Sequence, residues 1–244
     1  MINLFFNNKK IWFWLQIFAL IFLSVNCSQN EPNTVEQRYD KAIQYMDKGM
    51  FGSAIPLLDT IINQNPGTRF AIYSYLKKGD ALMDSSTAKL GEAETNYRIF
   101  LSLSAHSHLV PYVINRLIEL NFKKKQSSIF GKDYNYSRDP ERFKKVITEY
   151  QRFFLLYPNS LYLADAKEYL SLSNEALAEH ELIICNWYYE NGLFASAIAR
   201  YSYIINHYPN YQYTEKIVQK LINAYEKNQQ PQLANELKVL HEKS

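Results

Sequence analysis

Apolar residues along this chain recur at three- and four-residue intervals, and strand-like alternation over useful lengths is absent. Ala93, Tyr97 and Phe100 stand at i, i+4 and i+7, and Val146, Tyr150 and Phe153 repeat the spacing. That period puts each triplet on one face of a helix. The pattern predicts helices over 70–84, 90–103, 111–124, 139–157, 213–227 and 232–242, and a long helix or kinked pair over 160–190. Asp139 followed by Pro140 reads as an N-cap with proline at the first helical position.

A repeated motif organises these helices. Asp47-Lys48-Gly49-Met50-Phe51-Gly52-Ser53-Ala54-Ile55 recurs as Glu190-Asn191-Gly192-Leu193-Phe194-Ala195-Ser196-Ala197-Ile198. Each copy joins two apolar helices, and the second helix of each stops before a proline, at Asn65-Pro66 and Tyr208-Pro209. Glycine permits the turn, alanine lets the helices approach, and proline ends the second helix. This is the layout of a tetratricopeptide repeat, whose period is about 34 residues. The expected fold is all-α: a tetratricopeptide-repeat solenoid of about five helix pairs. The segment 123–138 interrupts it, with Lys123-Lys124-Lys125 suiting a helix C-terminus and Phe130, Tyr134 and Tyr136 adding unusual aromatic content.

The first residues follow a different pattern. Lys9-Lys10 precedes an apolar run from Ile11 to Val25, broken only by Gln16 and Ser24. The run is shorter than the roughly 20 residues of a transmembrane helix and fits a secretory leader. Leu23-Ser24-Val25-Asn26-Cys27 is similar to a bacterial lipobox, although Ser24 and Asn26 stand where leucine and a small residue are usual. The reading is therefore a signal peptide over 1–26, lipidation at Cys27 and a polar tether over 27–34; an ordinary leader with an incidental cysteine is the plainer alternative. Several acyl chains hold a protein on a membrane where one binds only marginally. With Cys27 acylated, Cys185 has no disulfide partner, and its apolar helical setting suits a buried thiol.

Composition narrows the function. Of the 244 residues, 27 are Lys or Arg and 24 Asp or Glu, a formal net charge of +3. Two of the positive charges lie in the leader, so the body is close to neutral and lacks the basic balance of a nucleic-acid binder. Only 7 glycines and 8 prolines argue against sandwiches, barrels and glycine-rich phosphate loops. Enzyme motifs are likewise absent from the sequence. His180-Glu181 starts like a zincin helix, but Ile184 occupies the second histidine position. His106-Ser107-His108 has no third ligand at matching spacing, and His207 and His241 read as loop or terminal residues. The expectation is a non-enzymatic protein without cofactor, apart from the covalent lipid.

Several local motifs add a family resemblance across nearly the whole body of the chain. They are Phe130-Gly131-Lys132-Asp133, Arg138-Asp139-Pro140, Tyr157-Pro158-Asn159-Ser160-Leu161-Tyr162 with Asp165-Ala166, and Leu177-Ala178-Glu179-His180-Glu181 with Trp187-Tyr188-Tyr189. In this order, with the repeats and lipobox, they resemble the BamD family of tetratricopeptide lipoproteins in the β-barrel assembly machinery of Gram-negative outer membranes. Ala105-His106-Ser107-His108 departs from the family, which commonly has a proline there.

The resemblance implies a scaffold lipid-anchored on the periplasmic face of the outer membrane. Its implied partners are a BamA-type barrel subunit, other assembly lipoproteins and unfolded outer-membrane proteins. It also implies a division of labour, with residues 35–110 receiving clients and residues 111–244 docking on BamA. Arg200 matches an arginine the family uses at that docking interface, and Phe70 matches an aromatic position implicated in client binding. Tyr39 and Arg69 join Phe70 as client-binding candidates, although both aromatics equally suit the packing between repeats. A different periplasmic repeat lipoprotein, in pilus assembly or division, is the nearest alternative reading; a lipid-anchored periplasmic enzyme is the more distant one.

Overall fold

The computed structural model describes residues 34–123 and 140–241. Cys27, the leader, Phe130, Tyr134, Tyr136 and the Asp139 cap lie outside the described residues. Among the described residues ten helices follow one another: α1 (Val35–Asp47), α2 (Phe51–Gln64), α3 (Arg69–Asp84), α4 (Leu90–Leu103), α5 (Val110–Lys123), α6 (Pro140–Leu156), α7 (Leu163–Glu190), α8 (Phe194–His207), α9 (Thr214–Lys227) and α10 (Pro231–His241). They form the five expected pairs, and the predicted boundaries are met to within about three residues. Thr34, the last residue of the expected tether, is the N-cap of α1. Its hydroxyl accepts from the Gln37 amide at 3.1 Å, and Gln37 returns the bond to the Thr34 amide.

The repeat motif works as its residues require. Gly49 and Gly192 adopt φ of +70° and +74°, which a side chain would resist, and each turns one helix back on the next. Ala54 and Ala197 are fully buried where the paired helices meet. Consecutive helices that pack across such short turns run antiparallel. The α2–α3, α4–α5 and α6–α7 turns therefore lie on the side of the stack that holds the N-termini of α1, α3, α5 and α7, whereas the α8–α9 turn meets the middle of α7, where Gln212 donates to Glu175. Ring contacts trace the edge holding those N-termini: Tyr39 of α1 meets Phe70 of α3 at 5.6 Å, and Tyr112 of α5 meets Tyr162 beside the start of α7 at 5.6 Å.

The core is a series of clusters shared by neighbouring helices. One joins α3, α4 and α5 around Leu76, Tyr97, Phe100 and Leu117; the next joins α5, α6 and α7 around Ile118, Val146, Phe153 and Ala166. A third joins α7, α8 and α9 around Cys185, Tyr201, Ile204 and Leu221. The segment 160–190 resolves to a single helix from Leu163, in keeping with the lack of proline and glycine in it. Ala166, in its first turn, belongs to the middle cluster and Cys185, near its end, to the third, so α7 bridges the two parts of the solenoid. Burial pushes the Cys185 thiol up to about 12, which keeps it protonated and unreactive at neutral pH.

Candidate functional site

The three N-terminal candidates come together. Thr68 caps α3, accepting from the Ala71 amide at 3.2 Å, and this starts the helix at Arg69 and Phe70. The Arg69 guanidinium carbon lies 4.8 Å from the centroid of the Phe70 ring, and Tyr39 packs against the same ring. Arg69 is exposed, and the two rings are half-buried. Neither ring is part of a core cluster, whereas their neighbours Ile72 and Tyr73 pack against the one beneath. Burial, with Tyr73, Asp80 and Asp40 nearby, pushes the Tyr39 hydroxyl up to about 12. The result is a cation–aromatic–aromatic group with accessible ring surface at the edge of the solenoid. Such a surface holds an aromatic side chain by ring contact and a carboxylate by charge.

Arg200, the docking candidate, has a partner within the fold. It stands on α8 and donates from Nη1 to Glu181 Oε2 of α7 at 2.6 Å. Its side chain is 42% exposed, so an outward face of the guanidinium remains available alongside the internal bond. Exposed ion pairs contribute about 0–1 kcal/mol, so the pair fixes the arginine's direction more than it stabilises the fold.

A buried polar network has no counterpart among the sequence motifs. Asp80 of α3 is 4% exposed, and its Oδ1 accepts hydroxyl bonds from Tyr97 of α4 at 2.8 Å and Tyr112 of α5 at 2.9 Å. Arg116 of α5 donates to the Tyr97 hydroxyl at 3.2 Å, to Asp84 at 2.6 Å and to Glu119 at 2.8 Å. Burial pushes the Asp80 carboxyl above its ordinary range, opposed by Lys77, the Tyr97 hydroxyl, Arg116 and the Tyr112 hydroxyl. These bonds tie three helices together, close enough to Tyr39 for the Asp80 charge to act on its hydroxyl. Gly79 gives Tyr97 its room, since a Cβ there would lie 2.7 Å from Tyr97 Cε1. Tyr97 is fully buried and cannot swing away. We therefore expect Gly79→Ala to destabilise the protein by about 1–3 kcal/mol, read as a lowered thermal midpoint.

Several polar groups around one cleft are held in structural contacts. A cleft of about 380 Å³ between α7 and the α8–α9 turn is lined by Ser171, Glu175 and His207 among others. Gln212 donates to Glu175 at 2.5 Å, and the His207 ring stacks on Tyr203 at 3.9 Å. His207 is the last residue of α8 rather than a loop residue, and His241 is the last of α10. Next to the cleft the Tyr211 hydroxyl donates to Glu179. No cluster of three or more His, Cys, Asp or Glu among the described residues could hold a metal ion.

Matches to known proteins run along the whole body of the chain. The family model described as YfiO, outer membrane lipoprotein, matches residues 31–240, from just before α1 into α10. The outer membrane protein assembly factor BamD of Caulobacter vibrioides is 25% identical over 80% of this chain and 61% of its own. This chain thus spans less than two thirds of that relative. BamD of Haemophilus influenzae is 23% identical over 91% of this chain and 86% of its own. Among solved structures, the MamA protein covers 83% of this chain and 87% of its own, at 20% identity and a TM-score of 0.41.

Proposed function

The chain belongs to the YfiO family of outer membrane lipoproteins, and from that premise we propose that it is a non-enzymatic adaptor in outer-membrane protein assembly. On this reading Cys27 carries the lipid that holds it on the periplasmic face of the outer membrane. The N-terminal half receives unfolded outer-membrane proteins, and the C-terminal half docks on a BamA-type barrel subunit. The observation that carries the reading is the family match, which runs through nearly every described helix. The architecture suits an adaptor, because a repeat solenoid offers extended surfaces for partner segments and contributes binding rather than bond-making.

For client recognition the Arg69–Phe70–Tyr39 group is the surface we assign. Outer-membrane strands alternate apolar and polar residues and are rich in aromatics at their ends. The aromatic pair would take a client side chain while Arg69 faces a carboxylate. Phe70 is half-buried against one ring, so Phe70→Ala should cost well under the roughly 3–5 kcal/mol of a core phenylalanine. We expect the variant to retain most of its melting temperature and to lose crosslinking to a peptide bearing a barrel C-terminal sequence. Unchanged crosslinking by a folded variant would remove these residues from the client site.

The docking assignment is tested at Arg200. Arg200→Glu places two carboxylates together at the α7–α8 contact and should sharply reduce recovery of the barrel subunit from solubilised membranes, with helical content unchanged. The double exchange Glu181→Arg, Arg200→Glu restores the internal pair. If the guanidinium at 200 meets a partner carboxylate, recovery stays low in the double variant. Full recovery there would assign Arg200 to the internal pair alone.

A further inference from the structure

We propose that the turn between α6 and α7 is a lipid-contacting tip, with Leu155 and Leu161 entering the surface of the membrane that carries the anchor. Leu161 is 92% exposed and Leu155 79%, flanked by Phe154 at 53% and Leu156 at 52%. Isolated exposed leucines are ordinary, but four large apolar side chains at one turn are not. The repeats themselves supply the contrast. Aligned on the helix ends before each turn, Leu155 corresponds to Asn63, Ser102 and Asn206, and Leu161 to Arg69, His108 and Gln212. All six of those residues are exposed and polar. The same solvent-facing positions are thus filled with leucine in one repeat only, so the repeat fold does not require apolar residues there.

Two observations favour a lipid surface as the occupant over a protein. From Tyr150 to Leu163 the chain holds a single charge, Arg152, and carries tyrosines at 150, 157 and 162. Protruding leucines ringed by tyrosine, with almost no charge, suit the membrane interface, where aromatic rings settle at headgroup level. Protein-binding patches need a broader complementary area, on the order of 800 Å² on each partner. The second observation is position. The tip lies on the edge that also holds the α2–α3 and α4–α5 turns, and Thr34, where the preceding segment enters the fold, caps α1 on that same edge. Six residues lie between Cys27 and Thr34, a reach of at most about 25 Å when extended. A lipid on Cys27 would therefore bring this edge, rather than the opposite one, toward the membrane. The inference rests on that anchoring and goes beyond the adaptor function.

The test uses full-length protein with Leu161→Cys, labelled there with the polarity-sensitive fluorophore NBD. Gln212→Cys, at the corresponding position of the next repeat, serves as control; Cys185 is buried and does not compete for label. Each protein is reconstituted into phosphatidylethanolamine–phosphatidylglycerol vesicles and separated by flotation. We expect emission at 161 to rise about twofold on reconstitution and to be quenched by lipids bearing a spin label on the acyl chain, with little change at 212. Protein that floats with the vesicles but keeps a water-exposed label at 161 overturns the proposal. Protein that does not float removes the anchor itself, and with it the orientation on which the proposal depends.

Discussion

Replacing Asp80 by alanine is expected to lower the melting temperature by roughly 6–12 °C, the largest effect of any polar substitution in the N-terminal half. The change leaves the Tyr112 hydroxyl without the acceptor it meets at 2.9 Å and takes the carboxylate from Tyr97 and Lys77. Each buried polar group left unsatisfied costs about 1–3 kcal/mol, and the vacated volume adds to that, for a total near 3 kcal/mol. Arg116 retains Asp84 and Glu119, which keeps the loss at the lower end for a buried charge network. Asp80→Asn should lose less than half as much, because its amide oxygen still accepts from both tyrosines. Thermal unfolding followed by circular dichroism orders the three proteins. An alanine variant as stable as the parent would show that the network contributes nothing net.

The second large effect is expected at Cys27. Among the described residues no helix is long and apolar enough to span a membrane, so on the proposed reading the acyl chain is what holds the processed protein there. Cys27→Ala should therefore move the chain almost completely from the detergent phase to the soluble periplasmic fraction, or leave it as unprocessed precursor. Retention of wild-type partitioning by a processed alanine variant would exclude lipidation at this position. The leucine tip alone would give at most weak, reversible binding, since marginal apolar insertion does not hold a protein on a bilayer.

The solenoid was legible because its determinants are local. Gly49 and Gly192 sit in matching motifs, Ala54 and Ala197 follow at the same spacing, and the helix faces repeat with a period near 3.6. What eluded the sequence is long-range. Asp80 reads as one more charged residue on a helix until the fold brings Tyr97 and Tyr112, 17 and 32 positions away, onto its carboxylate. The ion pair of Arg200 with Glu181 likewise joins two helices, and nothing in either segment announces it. The client-site candidates were individually visible, but their union into one group depends on how α1 and α3 cross. The leucines at 155 and 161 stand out only once the repeats are superposed on their turns and exposure is known.

As proposed, this chain works as an adaptor for a barrel-forming partner. Affinity purification of the full-length protein from gently solubilised outer membranes tests it most directly. The expected result is recovery of a large β-barrel subunit, recognisable by its heat-modifiable mobility on a gel, in amounts comparable to the bait and reduced by Arg200→Glu. Recovery of an intact, membrane-derived bait with no β-barrel protein would contradict it.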